Sequence, residues 1–132
     1  MIDFEVKIFN KVHDSVAPLC SKGKFISTMF SSPPTAFPAA SLVEIENTTV
    51  QERQSSTPKE NFGLISYQLD VYATTKAGCK KVLAAADEAM IAMNFSRISS
   101  PFVQSASNEK LFRYTARYEA MIDPDGNIYR RS

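Results

Sequence analysis

The chain has 132 residues, 44% of them apolar, and fifteen Lys and Arg against fourteen Asp and Glu leave a net charge of +1. That length fits one domain, residues 1–132, around a single core. The near-neutral balance argues against a protein devoted to nucleic acid, which ordinarily shows a strong basic excess, although a local basic patch is compatible with it. No run of about 18 apolar residues occurs, so no membrane span is expected. The first residues, Met1 to Glu5, lack the basic flank and apolar stretch of a signal peptide, which points to a cytoplasmic protein.

Ile2, Val6, Phe9, Val12, Val16, Leu19 and Cys20 fall at steps of three and four, which predicts a helix from Ile2 to about Ser21. Asp3 and Glu5 suit its first turn. Pro18 threatens to end it early, and Gly23 suits its C-terminal cap. Phe25 to Phe30 reads as a short strand, and Pro33, Pro34 and Pro38 then impose an extended segment. Ala40 to Thr49 reads as a half-buried strand with Val43 and Ile45 on one side and Glu44 and Glu46 on the other. Residues 51–60 hold almost nothing that could be buried, so a long mobile loop is expected there, flexible in the free subunit and ordered in an assembly.

Phe62 to Thr74 carries the clearest strand pattern. Ile65, Tyr67, Leu69, Val71 and Ala73 make one face, and Ser66, Gln68, Asp70 and Tyr72 the other. Thr74 or Thr75 is placed to cap a second helix with the stripe Cys79, Val82, Leu83, Ala86, Met90 and Met93, and Asn94 to end it. Phe95 to Val103 predicts a weaker strand broken by Pro101, followed by a turn at Ser105 to Asn108. Leu111 to Ile122 predicts a long one with Tyr114, Ala116, Tyr118 and Ala120 inward and Arg113, Thr115, Arg117 and Glu119 outward. Asp123-Pro124-Asp125-Gly126 is a strong turn, and a basic tail follows from Tyr129 to Arg131. The fold class is therefore α+β, an antiparallel sheet of four to five strands with two helices, in the order α-β-β-β-α-β-β. The expected core includes Val16, Leu69, Val71, Leu83, Tyr114 and Tyr118.

Catalytic and ligand-binding patterns are missing. The single histidine, His13, sits beside the apolar stripe of the first helix with no partner that would make it a base. Cys20 and Cys79 lie far apart, read as reduced core thiols, and suggest no metal site. The four glycines form no phosphate-cradling loop. Asp123 to Asn127 begins like a calcium loop, but its spacing is wrong and a plain turn fits better. No enzyme, cofactor or metal is expected. Glu44, Glu46, Asp70, Tyr72, Arg113 and Arg117 lie on outward strand faces. Opposed carboxylates and guanidinium groups of this kind suit pairing within a sheet or across subunits, so these six are the candidate interface residues.

The run Ile65-Ser66-Tyr67-Gln68-Leu69-Asp70-Val71-Tyr72-Ala73 enters directly a helix that begins Thr75-Lys76-Ala77. A strand after Asn94-Phe95-Ser96-Arg97 and a final Phe112-Arg113-Tyr114-Thr115-Ala116-Arg117-Tyr118-Glu119-Ala120 complete the pattern. This pattern resembles the tail terminator (tail completion) and minor capsid proteins of long-tailed bacteriophages. The likeness runs from the first helix to about Ile122, while the segment 31–38 and the tail after Asp123 match nothing in that family. The resemblance implies a virion protein of the tail neck, assembled in the host cytoplasm. It implies a ring of six copies that caps the head-proximal end of the tail tube and meets both the tube protein and the head connector. DNA would pass through its lumen without specific binding. Two rivals are an α+β nucleic-acid-binding domain using Tyr72, Arg113 and Arg117 on an open sheet, and a small enzyme whose site forms only on oligomerisation.

Overall fold

The computed structural model describes residues 4–20, 25–28, 38–50, 62–105 and 112–129. Their order is helix α1 (Glu5–Val16), a 3₁₀ turn (Ala17–Leu19), strands β1 (Phe25–Ile26), β2 (Ala39–Val50) and β3 (Phe62–Ala73), helix α2 (Lys76–Ala92), and strands β4 (Ser96–Ser105), β5 (Phe112–Ile122) and β6 (Ile128–Tyr129). The α+β class holds. The sheet differs in detail from the expected one: it has six strands in the order β1-β2-β3-β5-β4, with β6 beside β5, and β1 runs parallel to β2. β5 returns between β3 and β4, so α2 crosses over one strand before β4 begins. The chain segments expected at 31–37, 51–60 and 106–110, and the tail beyond Tyr129, lie outside the described residues.

The first helix is shorter than its sequence pattern and rotated from it. Its α-helical part stops at Val16, and Pro18 sits in the tighter turn that follows. Ile8, Val12 and Val16 are buried and Val6 is 72% exposed. Phe4, Ile8, Val12 and Val16 step by four, whereas Val6 lies about 200° around the helix from Phe4, so it faces away from the core. Phe9 extends the buried side by stacking on Phe25 of β1, with ring centroids 4.9 Å apart.

The second helix follows its sequence closely. The Thr75 hydroxyl accepts the Gly78 N–H at 3.0 Å, which caps the first turn. At the other end Asn94 takes φ of 72°, the Phe95 N–H donates to Met90 O and the Asn94 N–H to Ile91 O. That is the bond pattern of a Schellman cap, and the Asn94 side chain adds a bond to Ile128 O at 3.0 Å. Phe95 is thereby buried, edge-on to Tyr67 at 5.6 Å.

One core lies between the helices and one face of the sheet. Cys79, Val82, Leu83, Ala86 and Met90 of α2 meet Tyr67, Leu69 and Val71 of β3 and Tyr114, Ala116 and Tyr118 of β5. All six expected core residues are buried. The Tyr118 hydroxyl, inside the core, donates to Asp87 Oδ1 at 2.8 Å, and Arg97 reaches the same oxygen at 3.2 Å. Burial and this hydrogen bond push the Tyr118 phenol far up, so it stays a donor at any physiological pH. No described helix is long and apolar enough to cross a membrane.

Two sequence expectations fail along the strands. A bulge between Glu44 and Glu46 leaves Glu44 paired with Tyr67 and Glu46 with Ser66. The two glutamates therefore lie on opposite faces of the sheet, because one extra residue inverts the side-chain alternation. Pro101 does not break β4 either. It lies within an edge strand whose pairing with β5 shifts between Arg97 and Ser99 and again between Ser99 and Phe102, and an edge tolerates the missing donor.

Candidate functional site

The sheet face opposite the helices carries a set of polar side chains that bond to one another. The register sets them in rows across β2, β3 and β5: Ala39–Tyr72–Arg113, Ser41–Asp70–Thr115, Val43–Gln68–Arg117 and Glu46–Ser66–Glu119. Five of the six candidate residues share this face. Glu44 does not; it lies on the helix side and accepts a bond from the Tyr67 hydroxyl at 3.4 Å.

Asp70 is the centre of the face and is only 3% exposed. Of the two kinds of pairing expected for it, the structure shows the one within the sheet. One oxygen, Oδ1, accepts from Arg113 Nε at 3.3 Å, from Arg113 Nη2 at 3.0 Å and from the Thr115 hydroxyl at 2.7 Å. The other accepts from Gln68 Nε2 at 3.1 Å. A charge taken out of water needs this degree of pairing. Beside it Ser41 is fully buried, and its hydroxyl has no hydrogen-bond partner among the described residues.

The network sorts the two arginines into different roles. Arg113 spends Nε and Nη2 on Asp70 and lies over the Tyr72 ring, 5.6 Å from its centroid. Burial raises the Tyr72 phenol pKa, the Arg113 charge lowers it and the Asp70 charge raises it again, leaving it above its ordinary value. Arg117 is exposed, and its Nε donates to Gln68 Oε1 at 3.3 Å. Its terminal nitrogens carry no hydrogen bond among the described residues. Reversing Arg113 would set a second carboxylate against Asp70 and disturb the fold, whereas Arg117 is a surface charge whose stem is held in place.

Ser66 forms the acidic end of the face. Its hydroxyl lies 3.5 Å from Glu46 Oε1 and 3.4 Å from Glu119 Oε2. A hydroxyl has one proton to donate, so it serves one carboxylate at a time, and both converge on one point. Sequence reasoning placed Gln68, Thr115 and Glu119 on the outward face without singling them out. Their alternation with the core residues was the available signal.

Nothing in this arrangement pairs a nucleophile with a base. His13 lies in α1, its ring 5.9 Å from those of Phe9 and Phe25, well removed from the polar face. No group of three His, Cys, Asp or Glu side chains that could hold a metal occurs among the described residues. Burial pushes both cysteine thiols up to about 11; at Cys79 a backbone hydrogen bond only partly offsets it. At neutral pH almost none of either thiol is thiolate, and the thiolate is the reactive form. Labelling of the native protein with a thiol reagent is therefore expected to be very slow and to become complete on denaturation. Fast labelling of either residue in the folded protein would contradict its burial.

No family model matches the chain, and no curated protein matches it. Among solved structures there is a clear likeness. The chain shares its fold with a chain in the virion of a native gene transfer agent particle. The match has a TM-score of 0.64 and covers 91% of this chain and 94% of that one, at 12% sequence identity. At that identity what is common is the path of the backbone, so the roles of individual side chains have to be argued from their own surroundings.

Proposed function

We propose that the chain is a structural virion protein, a tail terminator that forms a ring, caps the head-proximal end of a phage-type tail tube and joins the tube to the head connector. The observation that carries this reading is the fold it shares, over nearly its whole length, with a chain of the gene transfer agent virion. The strand and helix motifs that resemble tail terminator proteins support the same reading, as does a polar sheet face without catalytic chemistry. A growing tube is open-ended, so ending it requires a subunit that docks on the last ring and offers no copy of that docking surface above. Six copies closed by head-to-tail contacts meet that need, with the tube protein on one side, the connector on the other and DNA passing through the lumen. Tyr72, Arg113 and Arg117 were the contacts of the rival nucleic-acid reading. Two of these are now accounted for internally, since Arg113 is neutralised by Asp70 and covers the Tyr72 ring.

Negative-stain images and native mass spectrometry of the purified protein test the proposal. Closed rings of a single stoichiometry, six copies in this reading, are the expected result. A protein that stays monomeric, with and without tail tubes, and shifts oligonucleotides in a salt-dependent manner would overturn it in favour of the nucleic-acid rival.

A further inference from the structure

The outer side of α2 carries a pattern that the core does not use. Ala77, Lys81, Ala84, Glu88 and Ile91 fall at steps of four, three, four and three, which lines them up along one side of the helix. All five are exposed, and the buried residues of α2 lie on its opposite side. Lys81 and Glu88 find no partner on their own helix. The positions three and four away from Lys81 are Ala77, Gly78, Ala84 and Ala85, and those from Glu88 are Ala84, Ala85, Ile91 and Ala92. Neither charge takes part in an ion pair among the described residues. The helix also has no acidic residue in its first turn and no basic residue in its last. Lys76, Lys80 and Lys81 occupy its first two turns instead, with Asp87 and Glu88 further on. That is the reverse of the order that complements a helix dipole, so it gives the isolated helix no support.

We infer that α2 packs antiparallel against α2 of a second copy, about a twofold axis at Ala84, with Lys81 of each copy beside Glu88 of the other. Laid against itself in reverse, the stripe sets Ala84 against Ala84, Lys81 against Glu88 and Ala77 against Ile91. Each charge then meets its opposite, and the same ion contact forms twice, as an isologous interface requires. The antiparallel order also places the basic, positive end of each helix beside the acidic, negative end of the other. Ala77 and Ala84 carry too little bulk to hold the two axes apart, and Ile91, 38% exposed in the single chain, gains cover. Self-complementarity is what selects a second copy as the occupant. A nucleic acid or an acidic protein would match the lysines and set like charge against Glu88. Helix α2 has 17 residues and is about 26 Å long, so the contact is small and the pairing weak.

This contact joins copies two at a time and closes no ring, so ring stoichiometry tests the terminator reading and the following series tests the pairing. Ala84→Cys in the full chain places two thiols at the axis, within disulfide reach. The native Cys20 and Cys79 are buried and stay out of the reaction. With oxidised glutathione as the oxidant, Ala84→Cys should give a disulfide-linked dimer quickly. Arg117→Cys, on the sheet face away from the helices, should cross-link only at the rate of random collision. Adding Lys81→Glu to Ala84→Cys sets like charges at both contacts, and cross-linking should slow about tenfold or more. Adding Glu88→Lys as well reverses both charges and should restore the rate. Higher salt should slow Ala84→Cys and quicken its Lys81→Glu derivative. Sedimentation velocity of the charge variants without the new cysteine should rank them in the same order, which separates pairing from thiol reactivity, and circular dichroism separates it from folding. Equal rates for Ala84→Cys and Arg117→Cys, or no recovery on reversing both charges, would overturn the inference.

Discussion

Leu69→Ala is expected to lower the unfolding free energy by about 2–5 kcal/mol, toward the upper part of that range. Leu69 is fully buried in the middle of β3, in register with Leu42 on one side and Ala116 on the other, and faces the helices. Removing its branched end forfeits both the transfer free energy of those carbons and the contacts of the atoms around the void. The surroundings have little means of closing that void. Ala116 is too small to reach across, and the strand is fixed by ladders on both sides. Leu64 is the control. It lies on the same strand but on the opposite face and is half-buried, so its replacement by Ala should cost about 1 kcal/mol or less, from a smaller change in buried area. Urea titration followed by circular dichroism measures both, with an unchanged slope marking a change in stability alone. A loss below about 1 kcal/mol for Leu69→Ala would mean that the strand's facing has been assigned backwards.

That facing was legible because β3 and β5 alternate without interruption, and period two is a strong signal when one face is buried. Both helix ends of α2 were legible too, since Thr75 and Asn94 are residues whose chemistry fits a start and a stop. Other features left no such mark. Nothing in the pattern Leu42 to Glu46 announces a bulge, yet the bulge alone decides that Glu46 joins the polar face and Glu44 leaves it. Both glutamates are equally polar in the sequence, and only the pairing with Tyr67 and Ser66 tells them apart. The first helix misled for a different reason. It offers apolar residues on more than one side, including Val6 and Phe9, and the phase is settled by what α1 packs against. The two-residue strands β1 and β6 are too short to carry any periodicity, and the parallel pairing of β1 depends on long-range placement.

The candidate site shows the same division. Alternation brought Asp70, Tyr72, Arg113 and Arg117 to one face, and that grouping is what the register displays. What sequence could not separate was a charge that serves the fold from a charge left at the surface. Asp70 and Glu46 are both acidic residues on alternating strands. One is covered by Arg113, Thr115 and Gln68, and the other is exposed. The difference comes from position across the sheet: β3 is flanked on both sides at Asp70, so long neighbouring side chains close over a short one. Arg113 and Arg117 part in the same way, according to which lies beside the buried carboxylate.

Asp70→Ala is accordingly expected to be among the most damaging substitutions on the polar face, at about 3 kcal/mol, the low end for breaking a buried ion pair. The substitution leaves the Arg113 guanidinium, the Thr115 hydroxyl and the Gln68 amide without their common acceptor. Arg113 keeps a route to water, since its side chain is 32% exposed, and this holds the loss below what a fully enclosed arginine would suffer. The low-end figure follows from that. Asp70→Asn should cost less, because its carbonyl oxygen still accepts from Arg113 and Thr115 while its amide now faces the Gln68 amide. Replacing both partners, Asp70→Ala with Arg113→Met, should recover part of the loss, because no buried charge is then left unpaired. The double-mutant cycle isolates the coupling, expected at about 1–3 kcal/mol for groups that share a network. The measurement is again urea unfolding, with Arg117→Ala as a surface control that should shift stability by about 0.5 kcal/mol or less. A coupling near zero would show that Asp70 and Arg113 do not depend on each other, and the distinction drawn between Arg113 and Arg117 would go with it.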